Sequence, residues 1–332
     1  MPSTRRVTRR ACRHVATLAA VAAALFVGEN RCAAQQFGHK LLGGLGLQAG
    51  VQPDTGLYVG DQVGVYDSNQ LFDQHGARVP GRFQIVGLGD AVGAGFSYRL
   101  PRLATYVSSA VSIPVAWISG TTGSPPVHTA LAGLADVYVQ PLRLGWRLSH
   151  FDLVTGYAFY VPVGSIEPDE GPTTVSRAQW THELSFGGTV YFDQRGSWQL
   201  SALGAWDING RKIGIDVTRG ETLQVQGGLG KTFGRIVSVG PIGYALYQVQ
   251  NDRGSDVPSA LRGARDRAFG LGAELDLTLE EGRVQLFFRY AHDLAVQTRP
   301  DAQLFFAGLA IRAWKPSGAA ARTRPTLPPF GM

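Results

Sequence analysis

The chain has 332 residues, with 31 lysines and arginines against 25 acids and a formal net charge of +6. Six of these cations and only one of the acids lie in the first 34 residues, which leaves 25 against 24 in the rest. The rest is therefore close to neutral, so a nucleic-acid-binding function loses its main support. Both cysteines, Cys12 and Cys32, also lie in the first 34 residues, so disulfides are excluded as a source of stability beyond them.

The first 34 residues have the pattern of a secretory signal peptide. Five arginines between Arg5 and Arg13 precede an unbroken run of small and apolar residues over 15–27. A run of this length is too short to span a bilayer as a helix and is typical of a signal-peptide core. Small residues follow at Cys32-Ala33-Ala34, so we expect cleavage before Gln35 and export of the mature chain.

Residues 56–314 alternate apolar and polar side chains with a period of two, in segments of about ten residues. The clearest segment is 267–280, where apolar residues from Phe269 to Leu279 fall on one face and Glu274 and Asp276 fall on the other. The alternation predicts twelve strands at 56–66, 82–98, 105–118, 132–147, 150–162, 180–192, 198–208, 222–233, 236–250, 267–280, 283–292 and 303–314.

The predicted connections sort by length. Short ones near residues 100, 148, 195, 234 and 282 alternate with longer polar ones at 67–81, 119–131, 163–179, 209–221, 251–266 and 293–302. An outer-membrane barrel has short turns on its periplasmic side and long extracellular loops, whereas a soluble β-sandwich has no reason to sort its loops in this way. The sequence therefore predicts an all-β fold, a transmembrane antiparallel up-and-down β-barrel of about 12 strands.

Aromatic residues lie near both ends of the predicted strands, as interfacial girdles would require. Those beside the short turns are Trp146, Phe151, Phe192, Trp198, Phe233 and Trp314, and those near the opposite ends are Trp117, Phe159, Trp180 and Trp206. Outside the barrel, the Gly-rich segment 35–55 has no clear pattern and is expected in the lumen or at its periplasmic mouth. The Pro-rich tail 315–332 is expected to be disordered.

Several short motifs resemble the outer-membrane transporters grouped as the meta-pathway phenol-degradation family. They are Gly44-Leu45-Gly46-Leu47-Gln48-Ala49-Gly50 with Pro53, Gly56-Leu57-Tyr58, Gly133-Leu134-Ala135-Asp136 with Pro141, Pro162-Val163-Gly164, Val239-Gly240-Pro241-Ile242-Gly243-Tyr244 with Gln248, and Gly270-Leu271-Gly272 with Glu274. The chain departs from the family pattern at Asp54-Thr55, Ala135 and Val163. The resemblance implies an outer-membrane barrel that acts as a transporter and occurs alongside aromatic catabolism; it implies no catalytic residues.

The inward faces of the predicted strands are polar, with interleaved aromatic residues. The candidates for lining the lumen are Asp136, Tyr138, Gln140, Glu183, Asp207, Gln224, Gln226, Tyr244, Glu274, Asp276 and Arg289. Such a lining suits a small, partly apolar solute better than a stream of ions. The same side chains could instead fill the barrel and pair with one another, and the sequence leaves both interpretations open.

Patterns for catalysis or metal binding are absent from the sequence. Six histidines follow residue 34, none in an H-x-x-x-H or H-E-x-x-H pattern, and no G-x-S-x-G motif occurs. His182 and Ser185 are three residues apart and should face opposite sides of one strand. We therefore expect neither an enzyme nor a bound cofactor or metal.

These observations predict a passive channel in the cell outer membrane for small hydrophobic or aromatic molecules. The expected partners are outer-membrane lipid, lipopolysaccharide and the solute, with no nucleic acid; the oligomeric state, the solute and the direction of flow stay open. The alternatives are a non-transporting structural barrel that binds partners through its loops, a soluble secreted β-protein and an outer-membrane hydrolase.

The hairpin around Glu281-Gly282 predicts a strand register in which every pair follows from the position of the turn. With these two residues as the turn, and with the glycine at a positive φ, paired residue numbers add up to 563. Leu275 then pairs with Phe288 on the outside, and Glu274 pairs with Arg289 on the inside. The residues expected to face lipid are Leu200, Phe269, Leu271, Leu275, Leu277, Leu286 and Phe288.

Overall fold

A computed structural model describes residues 38–39, 41–123, 125–167, 171–172 and 174–316. The predicted signal peptide and most of the predicted tail lie outside the described residues. The strands are β1 (Gly56–Ser68), β2 (Phe83–Leu100), β3 (Thr105–Thr122), β4 (Val127–Leu134), β5 (Val137–Arg147), β6 (Phe151–Val161), β7 (Ile166–Glu167), β8 (Gly171–Pro172), β9 (Thr181–Tyr191), β10 (Trp198–Asn209), β11 (Thr222–Phe233), β12 (Val237–Gln248), β13 (Arg267–Leu279), β14 (Val284–Gln297) and β15 (Gln303–Trp314). Single-turn 3-10 helices lie at Pro101–Leu103, Ser259–Leu261 and Glu280–Gly282.

Antiparallel pairing closes the sheet into a barrel. Each long strand pairs with its neighbours in the chain, β1 pairs with β15, and β2 pairs with β3, so that β1, β2, β3, β5, β6 and β9 to β15 form a ring of twelve. Of the remaining strands, β4 pairs with residues 115–122 of β3, and β7 and β8 form a two-stranded hairpin in the loop between β6 and β9. The predicted fold class and strand number are thus confirmed. Among the described residues no helix is long and apolar enough to cross a membrane.

The wall has an apolar outer face and a buried inner face, because successive side chains of a strand point to opposite sides. Along β13 the outward Leu275 is 37% exposed, while Glu274 and Asp276 are each 2% exposed. Leu200, Phe269, Leu271 and Phe288 are also exposed, and Leu277 and Leu286 are partly exposed. An apolar exterior of this kind fits a membrane and does not fit the soluble secreted protein that the sequence left as an alternative.

The register of the β13–β14 hairpin is confirmed. Leu275 pairs with Phe288, Glu274 with Arg289, and Leu279 with Val284. Gly282 has the expected positive φ of 83°, and Glu280 and Glu281 also adopt positive φ values. The pairing keeps this register as far as Gly270 and Asp293, where a β-bulge shifts it.

One predicted strand, 132–147, is wrong in its bounds. The chain there is divided into β4 and β5, with Ala135 and Asp136 between them. On the facing strand, Pro114 accepts a hydrogen bond from the Ala135 amide at 2.8 Å but has no N–H of its own to give to the ladder. The predicted long loop at 119–131 also shrinks to residues 123–126, since β3 continues to Thr122 and β4 begins at Val127.

Candidate functional site

Residues 38–39 and 41–55 form a segment, here called the plug, that lies inside the barrel. Leu47 and Gln52 have no exposed surface, and Leu42 and Val51 are buried. The plug leaves the lumen at the short-turn end of the barrel, where β1 begins at Gly56. It has no strand or helix, so its backbone polar groups need partners on the wall.

Polar side chains of the wall supply those partners along much of the plug. The Leu47 amide donates to Oε2 of Glu274 at 2.9 Å, and the Leu47 carbonyl accepts from Nε2 of Gln199 at 3.0 Å. The Leu45 amide donates to Oε1 of Gln226 at 3.2 Å, and the Gly50 amide to Oγ of Ser201 at 2.8 Å. The polar inner face is therefore in large part the hydrogen-bonding surface for an irregular segment.

At the short-turn end an ion cluster fixes the place where the plug joins β1. Oδ1 of Asp54 lies 2.8 Å from Nη1 of Arg147, and Oδ2 of Asp54 lies 3.4 Å from Nη1 of Arg312. The Arg147 guanidinium also lies over the ring of Tyr106, 4.2 Å from its centroid. Deeper in the lumen, Nη2 of Arg143 donates to the Val51 carbonyl at 3.0 Å. These contacts anchor the inner end of the plug to β5 and β15.

The plug passes so close to the wall at one point that only glycine fits. A Cβ added to Gly50 would lie 2.2 Å from the carbonyl oxygen of Gly188 and 2.6 Å from its amide nitrogen. Backbone atoms cannot move aside as a side chain can, so Gly50 allows direct backbone contact between the plug and β9.

All eleven predicted lumen residues are buried, with exposed fractions of 1–6%. Some bond to one another or to neighbouring wall residues, among them Gln140 to Tyr138 at 3.1 Å, Gln224 to Asp207 at 3.3 Å, and Tyr244 to Asp293 at 2.7 Å. Gln226 and Glu274 bond to the plug, as does Arg289 through the carbonyl oxygens of Gly43 and Gly44. Asp276 accepts from Gln48 of the plug at 3.2 Å, and Glu183 lies 3.5 Å from the Tyr160 hydroxyl. Asp136 bonds to His39 of the plug.

A cavity of about 320 Å³ lies between the plug and the wall formed by β1, β2 and β3. Leu41 and Leu42 of the plug form one side of it, and small lumenal residues such as Gly87, Gly89 and Ala91 form the other. Residues 172 and 174–177 of the loop between β6 and β9 cover one end, together with His39 and Asp136. Its surface is mainly apolar, which is typical of a site for a small ligand.

The residues that line the cavity include Leu88 and Val115, whose side chains are exposed on the outside of β2 and β3. Of the eleven predicted residues only Asp136 and Tyr138 line this cavity. A signal for the cavity wall is present in the alternating Gly87 and Gly89, which leave inward positions without side chains. No signal marks His39, a single histidine in an unpatterned segment.

Buried ion pairs close the barrel at its long-loop end. Asp266 lies between two arginines, with Oδ2 at 2.7 Å from Nη2 of Arg219 and Oδ1 at 3.3 Å from Nη1 of Arg299. In the loop between β10 and β11, Nζ of Lys212 donates to the Arg177 carbonyl at 2.8 Å. Burial, followed by the charges of Arg177 and Arg219, lowers the pKa of Lys212 to about 7.

The residues considered for hydrolysis do not form a catalytic pair. His182 is exposed on the outside of β9 and lies 2.8 Å from the Tyr157 hydroxyl, while Ser185 is buried and donates to the Gly156 carbonyl. Among the described residues no group of three or more His, Cys, Asp or Glu side chains could hold a metal ion.

A closed twelve-stranded barrel with an apolar belt, short turns at one end and ordered loops at the other is an outer-membrane β-barrel. Residues 68–308 match the family model described as "Putative MetA-pathway of phenol degradation", which is more than half of the chain, so the chain belongs to this family. The resemblance noted in the sequence is thereby confirmed.

The chain is similar to several solved structures at low sequence identity, and it shares the fold of the first of them. The COG4313 outer-membrane channel from Pseudomonas putida is 13% identical, with a TM-score of 0.66 over 78% of this chain and 96% of that one. The β domain of the Bordetella autotransporter Brka is 13% identical, with a TM-score of 0.46 over 78% of this chain and 100% of that one. The monoaromatic hydrocarbon channel CymD is 8% identical, with a TM-score of 0.39 over 79% and 90%. No curated protein matches the chain in sequence.

Proposed function

We propose that this barrel is a passive channel of the outer membrane for small hydrophobic or aromatic molecules. The observation that carries the proposal is the mainly apolar cavity of about 320 Å³ beside the plug. A dry apolar cavity of roughly 150 Å³ is enough to bind benzene. The cavity therefore has room for one substituted aromatic ring or a short alkyl chain. Membership of a family named for phenol degradation supports an aromatic solute.

The filling of the rest of the lumen argues against a water-filled pore. Leu47 and Gln52 are fully buried where the plug crosses the inner half of the barrel, and wall side chains bond to its backbone there. An ion would need a continuous hydrated path, whereas an apolar solute needs only the cavity and a way in. The cavity lies against β2 and β3, whose outward Leu88 and Val115 face the surrounding lipid, and this nearness supports entry from the lipid.

A variant that fills the cavity tests the proposal. Ala91→Trp places an indole in the cavity, where Ala91 is 4% exposed. The matched control is Ala202→Trp, which makes the same change at an exposed position on the outside of β10. Uptake of a radiolabelled monocyclic aromatic would be measured in cells whose outer membrane contains each barrel, with the heat-dependent shift in gel mobility as the check of folding.

We expect Ala91→Trp to lower uptake about tenfold and Ala202→Trp to leave it unchanged. The indole takes the space of the solute, and a misfit of even one methylene in an apolar pocket costs roughly 1–3 kcal/mol. Equal uptake by both folded variants and by cells without the barrel would exclude a channel function that uses this cavity.

The non-transporting structural barrel remains the second candidate because the loops themselves are packed. Two hydrophobic clusters lie among them, one around Leu71 and Leu261 and one around Ile166 and Val217. Ordered loops of this kind could present a surface to lipopolysaccharide or to another partner. Uptake that depends on the barrel but not on loop substitutions would separate the channel from this alternative.

A further inference from the structure

Asp136 lies between the end of β4 at Leu134 and the start of β5 at Val137, where the pairing with β3 is interrupted. Pairing between β3 and β4 ends at Val115 and Leu134, and pairing between β3 and β5 resumes at Ser112 and Tyr138. Gly133, just before the break, has a φ of +146°, which residues with a side chain rarely adopt. The break therefore frees Asp136 from the ladder, and its side chain is 1% exposed.

The Asp136 carboxylate accepts four hydrogen bonds from two segments, the plug and the loop between β6 and β9. Nε2 of His39, in the plug, lies 2.6 Å from Oδ2. The Val163 amide, at the start of the loop after β6, donates to Oδ1 at 3.2 Å. The Arg177 amide, at the end of the same loop, donates to Oδ2 at 2.8 Å, and the Ser176 hydroxyl donates to Oδ1.

The partners of Asp136 are themselves held by further contacts. The imidazole of His39 stacks on the ring of Tyr160, with 4.5 Å between the centroids. The Arg177 carbonyl accepts from Nζ of Lys212, so the loop end is joined to the loop between β10 and β11. Asp136 thus lies at the junction of the plug, the wall and the loops that close the long-loop end.

The same groups form one end of the cavity, since His39, Asp136, Ser176 and Arg177 all border it. If the donors move away from Asp136, its carboxylate is left buried without partners, and if the carboxylate is lost, the donors are left without an acceptor. Because the donors belong to both the plug and the loop, a displacement of one segment removes part of what holds the other.

We infer that Asp136 is a positioning residue that couples the end of the plug at His39 to the loop between β6 and β9. When one of these segments leaves its position against Asp136, the other leaves with it. This coupling goes beyond the proposed function, and only its consequence for a passing solute rests on that function. Coupling of this kind is reciprocal: a change on the plug side must loosen the loop, and a change on the loop side must loosen the plug.

Amide hydrogen exchange of the purified full-length barrel in detergent tests the coupling without any transport. His39→Phe keeps an aromatic ring against Tyr160 and removes the donor to Asp136. Ser176→Ala removes the donor on the loop side. Asp136→Asn removes the charge, and Asp152→Asn is the matched control, because Asp152 is also buried and also faces the plug, through the Gln52 amide at 3.5 Å.

We expect His39→Phe to speed exchange about tenfold in peptides from 174–180 as well as in the plug, and Ser176→Ala to speed it in peptides from 41–47. In the Asp136→Asn background neither substitution should speed exchange further. Asp152→Asn should speed exchange at the inner end of the plug, near Gln52, and leave exchange in 174–180 at the wild-type rate. If each variant loosens only its own segment, Asp136 does not couple them. His39→Phe and Ser176→Ala keep the test decisive if Asp136→Asn fails to fold.

Discussion

Arg289 and Glu274 form a two-pronged ion pair across neighbouring strands. Nε of Arg289 lies 2.9 Å from Oε2 of Glu274, and Nη2 lies 2.9 Å from Oε1. The pair also holds the plug, because Glu274 accepts from the Leu47 amide and Arg289 donates to the carbonyls of Gly43 and Gly44. The sequence predicted the pair, and it left open whether the lumen around it would be wet; the pair is in fact buried.

Removal of Arg289 should be strongly destabilising. Arg289→Ala leaves the Glu274 carboxylate buried without its cation, which typically costs about 3–5 kcal/mol. The measurement is urea unfolding in detergent micelles, followed by tryptophan fluorescence. The double variant Glu274→Gln/Arg289→Met removes both charges at similar volume and should lose much less. An equal loss in the single and double variants would show that the charge balance is not what matters.

Depth in the membrane should decide the effect of an arginine on the outer face. Leu275 and Leu279 lie on the same face of β13 and are 37% and 40% exposed, but Leu279 is beside the turn. Leu275→Arg should therefore destabilise the barrel by ~2–4 kcal/mol, and Leu279→Arg by only ~0–1 kcal/mol. Refolding and unfolding in lipid vesicles would give the two values, and similar losses at both positions would contradict the predicted belt.

The register and the two faces of the barrel could be predicted because both follow from a period of two. Once Glu281 and Gly282 are the turn, every pair from Leu279 and Val284 onward follows. The break at Ala135 and Asp136 could not be predicted, because it depends on a proline in the facing strand. Pro114 precedes Ala135 by 21 positions, and nothing in the sequence indicates that the two residues face each other.

The contacts of the plug could not be predicted for a different reason. The segment has no periodic pattern, so nothing in the sequence matches Leu47 to Glu274 or His39 to Asp136. The polar inner faces were visible, but their hydrogen-bond partners were not. A side chain that lines a wet pore and one that holds a buried segment have the same pattern along a strand.

The close contact at Gly50 predicts a variant with a looser plug. A methyl group at Gly50 would meet the backbone of Gly188, and overpacking of this kind costs roughly 1–3 kcal/mol. Gly50→Ala should therefore displace the plug and raise single-channel conductance in planar bilayers. Gly38→Ala is the matched control, since a Cβ there meets nothing within 4 Å. A conductance that is the same in both variants would mean that the contact does not hold the plug in place.

Lys212 should make the stability of the barrel depend on pH. Burial, then Arg177 and Arg219, lowers its pKa to about 7 in the folded protein, against about 10.4 in an unfolded chain. Between these two values the unfolded state binds more protons, so stability rises with pH from about 7 to about 10, by at most ~1.4 kcal/mol per pH unit. Below pH 7 the cost of the buried charge is present in full.

The variant Lys212→Met should flatten this rise in the midpoint of urea unfolding. Arg211→Met is the matched control, because the neighbouring Arg211 side chain is 71% exposed and should leave the pH dependence as in the wild type. Parallel curves for the wild type and Lys212→Met would show that another group causes the dependence.

A reversible lock on the plug would show whether it moves during solute passage. A Cβ on Gly43 would lie 3.2 Å from Cβ of Ala291, near the separation of about 3.5–4.5 Å in disulfides. Gly43 has a φ of +74°, so a cysteine there adds strain of roughly 1–2 kcal/mol, which the bond itself can offset.

Because the plug fills the lumen between the cavity and the short-turn end, the oxidised Gly43→Cys/Ala291→Cys variant should take up the aromatic solute at least about tenfold more slowly, and dithiothreitol should restore the rate. Each single-cysteine variant controls for the substitutions. If the locked barrel transports at the wild-type rate, the solute passes without displacement of the plug at Gly43.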